Sequence, residues 1–128
     1  MSSIFVQATD RGSAGLPLSQ IAGSKTSVFA GIFAHDYREA IAQDEANLPR
    51  FFQTGTGSAF ASNRISHFFD LRGASVTVDT GCSTTLVALH QAVQSLRLRE
   101  ADMSIVGGSN LLLTPSMFMG LGSVKYVC

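Results

Sequence analysis

Cys82 is the residue in this sequence with the most chemistry to offer. It stands in Val78-Asp79-Thr80-Gly81-Cys82-Ser83-Thr84-Thr85-Leu86, where a β-like run ends at a glycine, then come the thiol, three hydroxyls and a long apolar helical pattern. That order predicts a thiol at a strand-to-helix corner, on the first turn of a helix. Thiols there are activated, because the thiolate is the nucleophile and the peptide dipoles at a helix N-terminus favour negative charge. Gly81 lets the chain turn sharply just before the sulfur. The first helical N–H groups lack internal partners and face the thiol, and the Cys82 N–H can donate to an oxyanion. Ser83, Thr84 and Thr85 can cap the helix. The layout is that of a nucleophile elbow with sulfur for oxygen, suited to acyl transfer between thioesters. On local pattern alone a buried structural cysteine is an equal alternative, since free cysteine is among the most buried residue types.

The elements around this corner follow from periodicity. Residues 26–33 (TSVFAGIF) are apolar and β-like, as in a strand buried on both faces. Asp36 is placed to cap a helix running to about Asn47, with Pro49 beyond it. Gly55 to Ser58 reads as a turn and Ala59 to Phe69 as a helix. Asp70 to Gly73 turns the chain, and Ala74 to Asp79 is a strand. Ser83 to Arg99 is the strongest helix: Leu86, Leu89, Val93 and Leu96 repeat at helical spacing, Val87, Ala88 and Ala92 fill other faces, and Arg97 and Arg99 suit its C-terminal end. Asp102 to Val106 is a strand closed by Gly107-Gly108. Leu111 to Leu113 can add another strand, and Pro115 can open a short helix. Met1 to Ser24 reads as loop with a turn of helix near Leu18 to Ala22. Alternating strands and helices indicate a layered α/β protein.

Composition narrows the function. Nine Lys+Arg balance nine Asp+Glu, which argues against a nucleic-acid arm or a membrane-surface patch. Only 14% of residues are charged, against about 25% in an average domain, so much of the surface expects cover. The two cysteines, Cys82 and Cys128, form no CxxC. This is neither a disulfide scaffold nor a zinc site, and it suits a reducing, cytoplasmic compartment. No apolar stretch is long enough for a signal peptide or a membrane span.

Residues 78–96 (VDTGCSTTLVALHQAVQSL) and 101–110 (ADMSIVGGSN), preceded by 26–37 (TSVFAGIFAHDY) and 63–73 (NRISHFFDLRG), resemble the nucleophile region of β-ketoacyl synthase domains. The greatest similarity is to ketosynthases of fungal iterative reducing polyketide synthases. Gly81 and Thr84-Thr85 stand where Ala and Ser-Ser are common in polyketide synthases. The resemblance covers residues 14–119, with residues 1–13 and 120–128 left unassigned. It implies a thiolase-like fold with αβαβα layers, of which only part of the first half is present. It implies that Cys82 takes an acyl group from the phosphopantetheine of an acyl carrier protein, no cofactor being bound directly. A malonyl extender then loses carbon dioxide and condenses with that thioester. The implied partners are the carrier domain, malonyl and acyl thioesters and, in the full domain, a second subunit, without nucleic acid or membrane. In the family two further histidines assist decarboxylation, far downstream of the nucleophile, and His35, His67 and His90 do not match them. The chain is thus expected to be an excerpt that does not condense alone, or else a non-catalytic remnant that pairs with a full subunit.

The remaining candidates have simpler readings. His90, eight residues beyond Cys82, is roughly 12 Å along one helix and out of reach of the thiol, so it is taken as a packed or hydrogen-bonded residue. His35 and His67 sit at element ends, suiting solvent or capping roles. A cysteine hydrolase would need one of them against the sulfur. Asp79 is read as a buried hydrogen-bonding residue. Gly55-Thr56-Gly57 only partly mimics a dinucleotide fingerprint and reads as a turn. Phe51-Phe52 and Phe68-Phe69 suit the core or a subunit interface, as does the family's placing of residues 63–75 near a homodimer contact. Met117, Phe118 and Met119 suit the core or an acyl pocket.

Overall fold

The structure, a computed structural model, describes residues 4–9 and 18–123. Four strands form one sheet: β1 (Ile4–Thr9), β2 (Thr26–Ile32), β3 (Ser75–Val78) and β4 (Met103–Ser109), in the order β1-β4-β2-β3. β2 runs parallel to both β3 and β4, and β1 runs antiparallel to β4. The helices are α1 (Leu18–Ile21), α2 (Asp36–Ala42), α3 (Phe52–Thr56), α4 (Phe60–Phe68), α5 (Thr84–Arg97) and α6 (Ser116–Ser123). No described helix is long and apolar enough to cross a membrane.

β2 is the centre, as its apolar sequence predicts, with Thr26 through Gly31 all buried. Phe29 points to the α5 side, where it packs with Val78, Val106, Ala88 and Ala92. On the same side, Ser27 and Ser104 satisfy each other with a 2.5 Å hydrogen bond between neighbouring strands. α4 covers the opposite side, where the Ser62 and Thr77 hydroxyls meet at 2.9 Å and Ser75 donates to the Asn63 side chain. A parallel sheet with helices on both faces buries its middle strand twice, hence the unbroken apolar run.

α5 turns a different face inward from the one its leucines suggest. Thr84, Ala88, Ala92 and Ser95 are buried, whereas Leu86 is 71% exposed. Close approach explains this. A Cβ on Gly31 would lie 2.8 Å from the Thr84 methyl, and one on Gly108 would collide with the Thr85 hydroxyl. Small residues face small residues, Val87 and Leu89 pack at the margin of the core, and Leu86 is left outside. Gly107 and Gly108 therefore lie within β4 rather than closing it.

Other expectations are also corrected. Residues 4–9 form β1 rather than loop, because the backbone pairs along β4; residues 10–17 lie outside the described residues. α2 stops at Ala42, and a separate 3-10 turn follows at Glu45–Asn47, where Asn47 donates to the Asp44 carboxylate. Gly55 lies inside α3, its N–H bonded to the Phe51 carbonyl. Residues 111–113 form no strand. Arg97 is in the last turn of α5, but Arg99 lies past its end with φ +58°.

Candidate active site

The corner at Cys82 is built from short-range bonds. β3 ends at Val78, and Asp79 Oδ1 accepts the Gly81 N–H at 3.1 Å. Gly81 has φ +64°, a left-handed conformation that glycine adopts without strain. The Thr84 hydroxyl accepts the Thr80 N–H at 3.1 Å and donates to the Gly81 carbonyl. The Ser83 hydroxyl donates to the Thr80 carbonyl at 2.9 Å and accepts from the Thr80 hydroxyl at 3.0 Å. These hydroxyls reach back into the bend rather than forward to the free helical N–H groups, so capping by Ser83 is corrected: it is the N-cap residue without a side-chain cap bond.

Cys82 is exposed, one residue before the N-cap of α5. A buried structural role is thereby excluded. The thiol opens on a cleft of about 240 Å³. Gly31 and Phe33 line it at the end of β2, Thr85 at the start of α5, and Gly108 to Asn110 at the end of β4. The lining residues from β2 and β4 lie at the carboxyl ends of parallel strands. From β2 the chain passes to β3 on one side, then through α5 to β4 on the other. Such a switch point, where connections leave in opposite directions, is the usual ligand crevice of an open α/β sheet. The motif alone did not show this crevice, because it depends on strand order.

The other candidates fall elsewhere. No histidine lines the cleft among the described residues. His35 lies with Nε2 3.5 Å from Asp79 Oδ2. His67 is exposed in the last turn of α4, and His90 is exposed on α5 rather than packed. The cysteine-hydrolase reading therefore lacks its base. Asp79 is exposed rather than buried, and it serves the bend. Phe51 and Phe68 are 69% and 78% exposed, which excludes the core for both. Phe118 and Met119 are likewise exposed and line no part of the cleft. Sequence reading missed Asp36. It does not cap α2. It is buried, and its Oδ2 accepts the N–H groups of Leu113 and Thr114, each at 2.9 Å, and the Thr114 hydroxyl at 3.1 Å. The Thr114 N–H, with that of Leu113, holds its carboxyl below the ordinary carboxylate range, against the opposite pull of burial.

Comparison with known proteins gives the family. The model of the β-ketoacyl synthase N-terminal domain matches residues 11–128. A highly reducing polyketide synthase, pkhB, of Emericella nidulans is 68% identical over 111 residues, covering 87% of this chain and 4% of that protein. Lovastatin diketide synthase lovF of Aspergillus terreus is 53% identical over 114 residues, covering 89% of this chain and 5% of that protein. The chain thus spans about a twentieth of the length of these relatives. Among solved structures, the ketosynthase from module 6 of the bacillaene synthase of Bacillus subtilis 168 superposes with TM-score 0.72 at 31% identity, over 84% of this chain and 17% of that one. The neighbouring fold is thiolase-like, and the four strands and their helices are part of it. The chain belongs to the β-ketoacyl synthase family, as part of its N-terminal domain and of the kind carried by fungal highly reducing polyketide synthases.

Proposed function

We propose that this chain carries the nucleophile of a ketosynthase that lengthens a polyketide, and that Cys82 is that nucleophile. One observation carries the reading: an exposed thiol at the bend into α5, opening on a cleft at the carboxyl ends of three parallel strands. The Cys82 thiolate attacks the carbonyl of an acyl thioester borne on the phosphopantetheine of an acyl carrier protein. A new C–S bond forms, the carrier thiolate leaves, and the Cys82 N–H donates to the passing oxyanion. A malonyl thioester on the carrier then loses carbon dioxide. The electron pair of the broken C–C bond forms a new bond to the acyl carbonyl carbon, and the Cys82 thiolate leaves. The product is a β-ketoacyl thioester two carbons longer.

The reading makes the full protein an acyltransferase of the 3-oxoacyl-carrier-protein synthase type, working in the cytoplasm as a homodimer. β3 at the sheet edge and the exposed Phe68 on α4 support the second subunit. Intact mass after incubation with an acyl thioester tests the nucleophile. The wild-type chain gains one acyl group, and Cys82→Ala gains none; the same adduct on Cys82→Ala refutes the role. Since no histidine lines the cleft among the described residues, adding a malonyl thioester is expected to give no β-ketoacyl product from this chain.

A second reading, a non-catalytic remnant that pairs with a ketosynthase subunit, draws on the exposed Leu86 and Leu98 of the α5 region. It predicts no adduct at all, together with co-elution with such a subunit on a sizing column.

A further inference from the structure

Asp36 is a buried carboxylate that the acyl chemistry leaves unused. It is 5% exposed, and a carboxylate is costly to bury without donors around it. The donors are the Leu113 and Thr114 N–H groups and the Thr114 hydroxyl, at 2.9, 2.9 and 3.1 Å. Residues 110–115 belong to no strand or helix, so these N–H groups have no ladder partner, and Asp36 takes that place. The segment starts at Asn110, a wall of the Cys82 cleft. The residue just before it, Ser109, is held in the sheet by pairing with Ile32 of β2. Asn110 is thus held between two anchors.

The residue next to Asp36 acts on the opposite wall. His35 Nε2 lies 3.5 Å from Asp79 Oδ2, while Asp79 Oδ1 accepts the N–H of Gly81, the residue before the thiol. Both His35 and Asp36 follow closely on Phe33, itself part of the cleft. One dipeptide at the start of α2 therefore touches the supports of both walls without lining the cleft beside the sulfur.

We propose that His35 and Asp36 are positioning residues, a two-sided clasp that sets the spacing between the Cys82 bend and the 109–114 segment and so the fit of the acyl thioester. This rests on the Cys82 reading above. Acyl transfer needs the carbonyl placed between sulfur and amide donors, and small misplacements there are costly. Alkylation needs only an accessible thiol.

The test compares the two reactions on the full chain. The acetyl thioester of N-acetylcysteamine is the acyl donor and iodoacetamide the alkylating agent, both followed by the mass of the peptide that carries Cys82, apart from that of Cys128. Asp36→Asn and His35→Ala are each expected to slow acetyl transfer by about tenfold to a hundredfold. Alkylation of Cys82 should stay within about twofold, since the thiol remains as exposed. A merely structural role would slow or hasten both reactions together, and that parallel change overturns the clasp. If Asp36→Asn fails to fold, His35→Ala decides alone, since that side chain is 34% exposed. A wild-type chain acetylated at Cys82, with variants acetylated at the same rate, overturns the clasp and spares the nucleophile. A wild-type chain that takes no acetyl group overturns both.

Discussion

The bend that carries Cys82, residues 79–85, is tied by bonds between residues two to four apart, whereas the facing segment, residues 109–114, hangs on a carboxylate 77 residues away in sequence. The first wall is also set by shape, since α5 comes down on Gly31 and Gly108 with no room for a side chain. The second is set by charge, since one oxygen of Asp36 gathers three donors. A wall made of contact distances fails when volume is added. A wall made of charge tolerates volume and fails when the carboxyl is protonated. The cleft between them depends on both, so the two sensitivities can be separated by experiment.

The largest effect is expected from added volume. Gly31→Val puts branched carbon where even one Cβ lies 2.8 Å from the Thr84 methyl and 3.3 Å from the Thr85 nitrogen. Overpacking of this kind costs about 1–3 kcal/mol. Urea unfolding should show that loss equally at pH 7 and pH 5. A variant that unfolds at the wild-type midpoint would mean that α5 does not rest on β2 as described.

Acid should then act on the other wall. Because the folded Asp36 carboxyl is held below its ordinary range, its contribution to stability is present above the unfolded value. It is lost as pH falls through the folded one. The wild-type urea midpoint should therefore drop below about pH 4, and Asp36→Asn should show a shallower drop over the same range. Identical pH profiles would remove the carboxylate from the account of this wall.

The smallest effect is expected from a residue of α5 that belongs to neither wall. Leu86 is 71% exposed, and Leu86→Gln should change stability by less than about 0.5 kcal/mol. A larger loss would show that the outer side of the helix is covered in solution, and the contrast would then need a third surface.

The same contrast explains what could be read in advance. The bend was legible because its signals lie within a dozen residues: a β-branched run, Gly81, the thiol, hydroxyls and helical spacing. β2, α4, β3 and α5 fall within two residues of their expected limits for the same reason. What failed was non-local. The inner face of α5 could not be chosen by hydrophobicity, because glycines on two distant strands decide that alanines go inward. Asp36 looked like a cap, since an acidic residue at a helix start usually is one; its donors belong to a segment that sequence alone does not bring near. β1 lacked a signal because its partner, β4, is read only through pairing.

That pairing also orders events in time. β1, at residues 4–9, leaves the ribosome ahead of every other strand described, and β4, at residues 103–109, leaves after them. Among the described strands, β1 pairs with β4 alone. It must wait unpaired through the synthesis of roughly a hundred residues, a long loop to close and a slow kind of contact to make.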